Sequence, residues 1–409
     1  MGPLHGCRVI DLTTVLMGPS AAQTLGDYGA DVIKVESPDG DLVRDILPGR
    51  HARMGAMFLN TNRGKRGIVL DLKHPAGRDA LLRLTADADV LLYNVRPQAM
   101  ARLGLAYETL REANPRLVYA GVFGFGQDGP YAARPAYDDL IQGATGLPWL
   151  MTRSGSDAPR YVPNAIVDRL VGQVAVHAVL AALLERTRSG VGQRVDVPMF
   201  ETMASIVLGD HLGGLSFEPA LDAGGYARQL SPDRKPYATR DGHVCALVYN
   251  DTQWRRFAQA IGRTELLDDP RFATYAGRSA NVATVNAELV RIFASRTTAE
   301  WNALLEAADI PSLPMHDLQG MVADPQLAAS GLLPLREHPS EGLLRTIALP
   351  VKLHRTPAGP QRLAPRQGEH TVEVLREAGL EQAAIDAMLR DGSAVQAPPL
   401  PTDTDTGPR

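Results

Sequence analysis

Cysteine is nearly absent. Cys7 and Cys245 are the two in 409 residues, too few and too isolated for a disulfide framework or a zinc site, which points to a reducing cytoplasm. The ten histidines are scattered without an H-E-x-x-H or similar spacing, so no metal centre is expected. An excess of positive charge is missing too: 42 Lys and Arg against 46 Asp and Glu leave a net charge of −4, which argues against nucleic acid as a partner. The first residues lack a charged stretch followed by an apolar run, and position 6 is Gly where a myristoylation signal wants Ser or Thr. The longest nearly apolar run, Val174 to Leu184, is interrupted by His177 and is too short to cross a bilayer, so no membrane partner is expected. The Gly64-Lys65 pair is followed by Arg66 and lacks the preceding glycine of a P-loop, which speaks against ATP-driven chemistry.

What is present is an ordinary globular composition, 44% apolar and 22% charged, in a chain long enough for two or three domains at about 150 residues each. Arg8 to Leu12, a helical stretch Ala21 to Tyr28 closed by Gly29, and Asp31 to Glu36 form a βαβ unit, hence a parallel sheet. Further strands are expected at Gly67–Leu72, Val90–Asn94 and Leu117–Phe123, with a helix over Ala76–Ala86. The first half therefore reads as a doubly wound α/β domain, in which ligands bind beyond the carboxyl ends of the strands. Gly124-Phe-Gly126-Gln-Asp-Gly129 matches G-x-G-x-x-G, but Pro130 and Pro135 follow and no helix opens there, so a tight glycine-rich loop is the better reading. Glu36 ends its strand as a ribose-binding acid would, yet the turn before that helix has Gly18 alone, which disfavours a dinucleotide enzyme.

Later, residues 236–249 read as a hairpin turning at Asp241-Gly242. Thr252 to Ile261 reads as a helix, and Thr297 with Glu300 forms a capping box. Gly368-Glu-His-Thr371 opens what is expected to be the last helix. The organisation expected is a large α/β domain over 1–210 and 326–392, a smaller α+β domain over 225–325, and a disordered tail over 393–409, where Pro, Thr and Asp are frequent.

The densest stretch runs from Pro163 to Glu201. A short extended piece ends at Asp168, and apolar residues from Leu170 to Leu183 then recur at helical spacing. Asp168 reads either as an N-cap or as a carboxylate held at the positive end of a helix and presented to a pocket as a nucleophile.

From Gly6-x-Arg-Val-Ile-Asp-Leu through Gly18-Pro19, Gly29-Ala-Asp-Val-Ile-Lys-Val-Glu36, Asn62-Arg-Gly-Lys65, Leu70-Asp-Leu-Lys73, Asn94-Val-Arg-Pro, Arg102-Leu-Gly104, Tyr137-Asp138, the Asp168 stretch and Thr239-x-Asp-Gly242, the chain resembles the class III CoA-transferases in order and spacing up to about residue 390. The resemblance implies that Asp168 is the nucleophile, forming in turn an acyl-aspartyl anhydride and an aspartyl-CoA thioester. It implies CoA or acyl-CoA as a substrate and no permanently bound cofactor. Leu16 and Met17 would meet CoA beside Gly18-Pro19, Leu70 and Lys73 would hold its adenine or phosphate end, and Asn94, Val95 and Arg96 would line the pantetheine path. Arg102 would meet a phosphate, Met199 would lie near the thiol and Tyr137 in the substrate pocket. For Lys73 and Arg102 the plain alternative is a solvated helix face. The chain departs from the formyl-CoA transferases at Val95, where they carry an aromatic residue, and at Ser37, where they carry Arg.

The same family includes racemases, which need a second base. Their Gly-His-Asp is Ala136-Tyr137-Asp138 in this chain, and a phenol with a pKa of about 10 is a poor base at neutral pH, so transfer is the expected chemistry. A non-catalytic CoA-binding protein is the other alternative. Gly213-Gly214 or Gly224-Gly225 would cover the intermediate, and Arg44, Arg50, His51 and Arg53 would favour a dicarboxylate such as succinate. An interlocked homodimer follows from the resemblance alone.

Overall fold

A computed structural model describes residues 1–357, 359 and 362–400. Contacts divide it into two units: Met1–Ile141 with Asn164–Ala204 and Gln326–Arg409, and Gln142–Pro163 with Ser205–Pro325. Gln142–Pro163, expected in the large domain, counts with the second unit.

The first unit is built on β1 (Arg8–Leu12), β2 (Asp31–Glu36), β3 (Lys65–Leu70), β4 (Val90–Tyr93), β5 (Val118–Phe123) and β6 (Arg194–Pro198). All their pairings are parallel. Adding β12 (Ala394–Val395), the described sheet has the order β12-β3-β2-β1-β4-β5-β6. Strands β3, β4 and β5 are buried at every position, as strands covered by helices on both faces must be, β3 including the charged Lys65 and Arg66. Order 3-2-1-4-5-6 is that of a doubly wound dinucleotide-type sheet, whose direction of winding reverses between β1 and β4.

Three expectations change here. The strand placed at Gly67–Leu72 begins at Lys65, because Lys65 is completely buried and its ammonium is satisfied inside the unit. The tail expected from 393 is ordered at its start: Ala394 and Val395 pair antiparallel with Leu70 and Val69, while residues 401–409 lie outside the described ones. Gly368–Thr371 does open a helix, Thr371–Glu377, but a further helix, Gln382–Asp391, follows it.

The second unit has its own antiparallel sheet of β7 (Tyr237–Ala238), β8 (His243–Ala246) and β9 (Ser312–Pro314). The hairpin turn at Asp241-Gly242 and the Thr297–Glu300 capping box are both formed. Its core is aromatic: Trp254, Phe257, Phe293 and Trp301 have no exposed surface, and the Trp301 indole N–H donates to the Phe293 carbonyl at 2.7 Å. The remaining strands, β10 (Leu335–His338) and β11 (Gly342–Arg345), make a hairpin in the first unit.

Candidate active site

Six parallel strands put all their carboxyl ends along one edge, and the segments leaving that edge carry most of the residues singled out by sequence. After β1 come Thr13 to Met17, after β3 Lys73, after β4 Asn94 to Arg96, and after β6 Met199. The helix Ile166–Ser189 leads back into β6, so its N-terminus points to the same edge and brings Asp168 there.

Asp168 is neither at a strand end nor an N-cap. The cap is Ala165, which offers no side-chain bond, and Asp168 stands in the first helical turn. Its backbone N–H donates to the Asp138 carboxylate at 3.0 Å, satisfying one of the free donors of a helix start. Its own carboxylate is half-buried and accepts no hydrogen bond among the described residues. Burial, then the like charge of Asp138, push its pKa to about 6, against the pull of Arg169. At neutral pH it remains mostly ionised, and it is unencumbered by donors that would stabilise its ground state.

What sets its position is a close approach. A Cβ at Gly172, one turn on, would lie 2.8 Å from the Met17 carbonyl oxygen, so only glycine lets this helix come so near the start of Met17–Asp27. Arg169 reaches the same helix, donating to the Ser20 hydroxyl at 3.4 Å.

The turn between β1 and that helix is held from three sides. Asn94 grips Thr14 at both ends, accepting its N–H at 3.0 Å and donating to its carbonyl at 2.8 Å. Lys34 donates to the Thr13 carbonyl and to Asp41, each at 2.8 Å. Asp41 accepts the Val15 N–H at 3.1 Å. Val15 has φ 70°, a left-handed conformation that a β-branched residue adopts only when its surroundings impose it. Beneath lies a buried ionic set: Lys65 donates to Asp11 at 2.8 Å and to Asn62 at 2.7 Å. Burial lowers Lys65 to about 8. Asp11 is held below the usual carboxylate range although burial pulls it upward, because the Lys65 and Lys34 ammoniums outweigh that pull.

Several site expectations need correction. Leu70 has no exposed surface and packs in the sheet core with Ile10, Ile33 and Leu81, so its side chain has none to offer a nucleotide. Leu16, Met17 and Met199 are also buried, at the beginnings of the helices Met17–Asp27 and Met199–His211. Val95 is half-buried against the core, and Arg96 is the exposed cap residue of the helix Pro97–Arg102. Arg102 is exposed in the last turn of that short helix, while Lys73 is exposed in a loop before the helix Pro75–Ala86 and not on a helix face. Tyr137 is 64% exposed, and it is its neighbour Asp138 that touches the Asp168 backbone.

The arginine loop is spent on structure. Arg44 makes a two-pronged pair with Glu36 at 2.8 and 2.7 Å and lies 3.6 Å over Phe58. Arg50 donates to the carbonyls of Glu341 and Leu343, His51 pairs with Glu341 at 3.2 Å, and Arg53 bonds Asp45 and Gln367. The same pair removes Glu36 as a ribose ligand. The Gly124–Gly129 loop is pinned by Glu201, which accepts the Gly126 N–H at 2.9 Å, and no helix opens before Asp138, as the loop reading requires. In the second unit the N–H groups of Gly214 and Gly224 donate to Asp222 and that of Gly225 to the His211 carbonyl, so three of the four glycine donors expected to cover an intermediate are engaged.

The model of CoA-transferase family III matches residues 4–371. The chain belongs to that family. It is 37% identical to a succinate–glutarate CoA-transferase of Agrobacterium fabrum, over 92% of this chain and 95% of that protein. A succinyl-CoA:mesaconate CoA-transferase of Haloarcula hispanica is 33% identical, over 93% and 97%. A CAIB/BAIF family protein from Brucella suis superposes with a TM-score of 0.78 at 32% identity, covering 92% of this chain and 99% of that one. The protein is thus an enzyme of the CoA-transferase class, with CoA thioesters as its substrates.

Proposed function

We propose that this CoA-transferase moves CoA from an acyl-CoA donor such as succinyl-CoA to a carboxylic acid, with Asp168 as nucleophile. The observation that carries the reading is the Asp168 carboxylate, ionised and free of hydrogen bonds, at the carboxyl edge of the sheet beside the β1–β4 switch point. The Asp168 oxygen attacks the thioester carbonyl and the C–S bond breaks, giving a mixed anhydride and CoA thiolate. The thiolate attacks the aspartyl carbonyl of the anhydride, releasing the donor acid as carboxylate and leaving an aspartyl-CoA thioester. The acceptor carboxylate then reverses both steps and departs as the new CoA ester. No proton is consumed overall, and one thioester replaces another, so the energetics need neither ATP nor a metal.

Asn94, Val95, Arg96, Arg102 and Lys73 line the CoA path in this reading, with backbone of Leu16 and Met17 rather than their buried side chains meeting the ligand. The names of the relatives support succinyl-CoA as donor. An interlocked homodimer in the cytoplasm belongs to the same proposal, the latter in keeping with two free thiols.

Mass spectrometry of CoA esters after incubation with succinyl-CoA and a pool of carboxylic acids tests it. New esters made by the wild type and absent with Asp168→Ala are expected. New esters made equally by both proteins would remove Asp168 from the chemistry, and deuterium uptake at the α-carbon of a 2-methylacyl-CoA would point to the racemase reading.

A further inference from the structure

The arginines that sequence placed around a dicarboxylate are tied up in the first unit, but unspent ones converge in the second. There a cavity of about 460 Å³ is lined by Arg228, Arg234, Lys235 and Arg278 and by no Asp or Glu. Two of these charges are already matched. Arg278 is buried and pairs with Asp251 at 2.6 Å, also donating to the Phe272 carbonyl at 2.8 Å, and Lys235 stands 3.6 Å from Asp233. Arg228 and Arg234 have no carboxylate partner among the described residues. Arg228 lies 5.1 Å over the ring of Tyr249, whose hydroxyl is 3.2 Å from that of Tyr275. The guanidinium lies against the ring, and its N–H donors make no hydrogen bond among the described residues.

One part of the wall is apolar, from Val248, Val282, Val285 and Leu289. The rim is anchored where the Asn286 amide donates to the Ser231 hydroxyl at 3.0 Å, so the loop bearing Arg228 and Arg234 is held to the helix Val282–Phe293. A concave site with two unmatched guanidiniums and an apolar wall is complementary to a dianion with an apolar midsection.

We propose that this cavity is an organic-acid site, in which Arg228 and Arg234 take the two carboxylates of a dicarboxylic acid with an apolar midsection. The choice of a carboxylic acid rests on the transferase reading above; the cationic character of the cavity does not.

Calorimetric titration of the full chain with adipate, without any CoA ester present, tests the site apart from the chemistry. Hexanoate and inorganic phosphate serve as probes of charge number and anion type. Binding of adipate is expected to exceed that of either, and Arg228→Gln and Arg234→Gln are each expected to weaken it by about 10- to 100-fold, the loss of a charged hydrogen-bonded contact. Arg228→Lys, which keeps the charge, should retain part of the affinity, while thermal melting confirms that all three variants fold. Adipate affinity equal in wild type and both Gln variants overturns the site, and phosphate or hexanoate binding as well as adipate overturns the dicarboxylate assignment. Should adipate binding be lost in the variants while no acid accepts CoA, the site stands and the transferase reading falls.

Discussion

At Asp168 two tendencies oppose each other. A first-turn position favours the ionised form through the helix dipole, whereas burial and Asp138 disfavour it, and the value of about 6 shows that the second pair prevails. In the proposed mechanism the ionised form attacks, so kcat/KM for transfer should fall about tenfold per pH unit below pH about 6. Asp138→Asn keeps an acceptor for the Asp168 N–H and removes the like charge, so the acid limb should move downward, part of the way to the ordinary value of about 3.9. A pH–rate profile that leaves the limb in place would show that Asp138 does not act on Asp168. The raised pKa also has a stability consequence. The native state holds this proton more tightly than the unfolded chain, so ionised Asp168 costs stability, the cost growing from pH about 4 to about 6 and then levelling. Asp168→Asn should therefore be more stable than wild type at pH 7 by about 1–2 kcal/mol, the two-unit gap discounted for partial exposure, and the advantage should shrink toward pH 4. Denaturant titration at both pH values checks it. The helix that carries Asp168 was legible because the apolar residues from Leu170 to Leu183 recur at helical spacing. Leu70 and Arg44 were misread because a position's letters do not tell on which side of a packed sheet, or beside which acid, it will lie.

Between elements, the site depends on contacts that no single segment announces. Gly172 sits in a helix where its flexibility is a liability, and the reason for it is the Met17 carbonyl at 2.8 Å from a Cβ built there. Gly172→Val should force the two helices apart at a cost of about 1–3 kcal/mol and raise KM for acyl-CoA, since the helix start carrying Leu16 and Met17 must shift. An unchanged denaturation midpoint would sink this. The turn at Val15 makes the same point with charges. Lys34 and Asp41 are completely buried, and Lys34 stays above its ordinary pKa despite burial because Asp11, Asp41 and Glu36 surround it. Lys34→Met would strand these carboxylates and release the Thr13 carbonyl, with an expected loss of about 3–5 kcal/mol in chemical denaturation. Elements with a clear period or a cap were legible: the βαβ start, the hairpin at Asp241-Gly242 and the Thr297–Glu300 box. The left-handed Val15 was not, because the sequence has a valine where a glycine would have marked the turn.

At the scale of the whole chain, the first unit is closed by its last segment. The chain leaves this unit after Ala204, returns at Gln326, and Ala394–Val395 pairs with the third strand of the sheet. Reading 393–409 as a tail followed from composition, since a two-residue strand among prolines is too short for periodicity to register. The structure gives that strand several bonds. The Asp71 N–H donates to the Ser393 carbonyl at 2.9 Å, the Thr371 hydroxyl to the Val395 carbonyl at 2.6 Å, and the Ala397 N–H to the Gly368 carbonyl at 3.1 Å. Gly368 has φ 72°, and a Cβ there would lie 2.5 Å from the Val395 carbonyl oxygen, so the last strand is threaded closely against its neighbour. Ala394 is 1% exposed and belongs to the same apolar cluster as Leu70 and Ile68. Ending the chain after Gly392 would therefore bare an edge of β3, strand buried polar groups at about 1 kcal/mol or more each, and expose part of the core. A chain ending after Leu400 keeps all these contacts. The shorter protein should be less stable than the longer one by about 3 kcal/mol or more in guanidinium denaturation and gain a tendency to self-associate. Equal stability of the two truncations would mean that the sheet is complete at β3 and that its seventh strand contributes nothing.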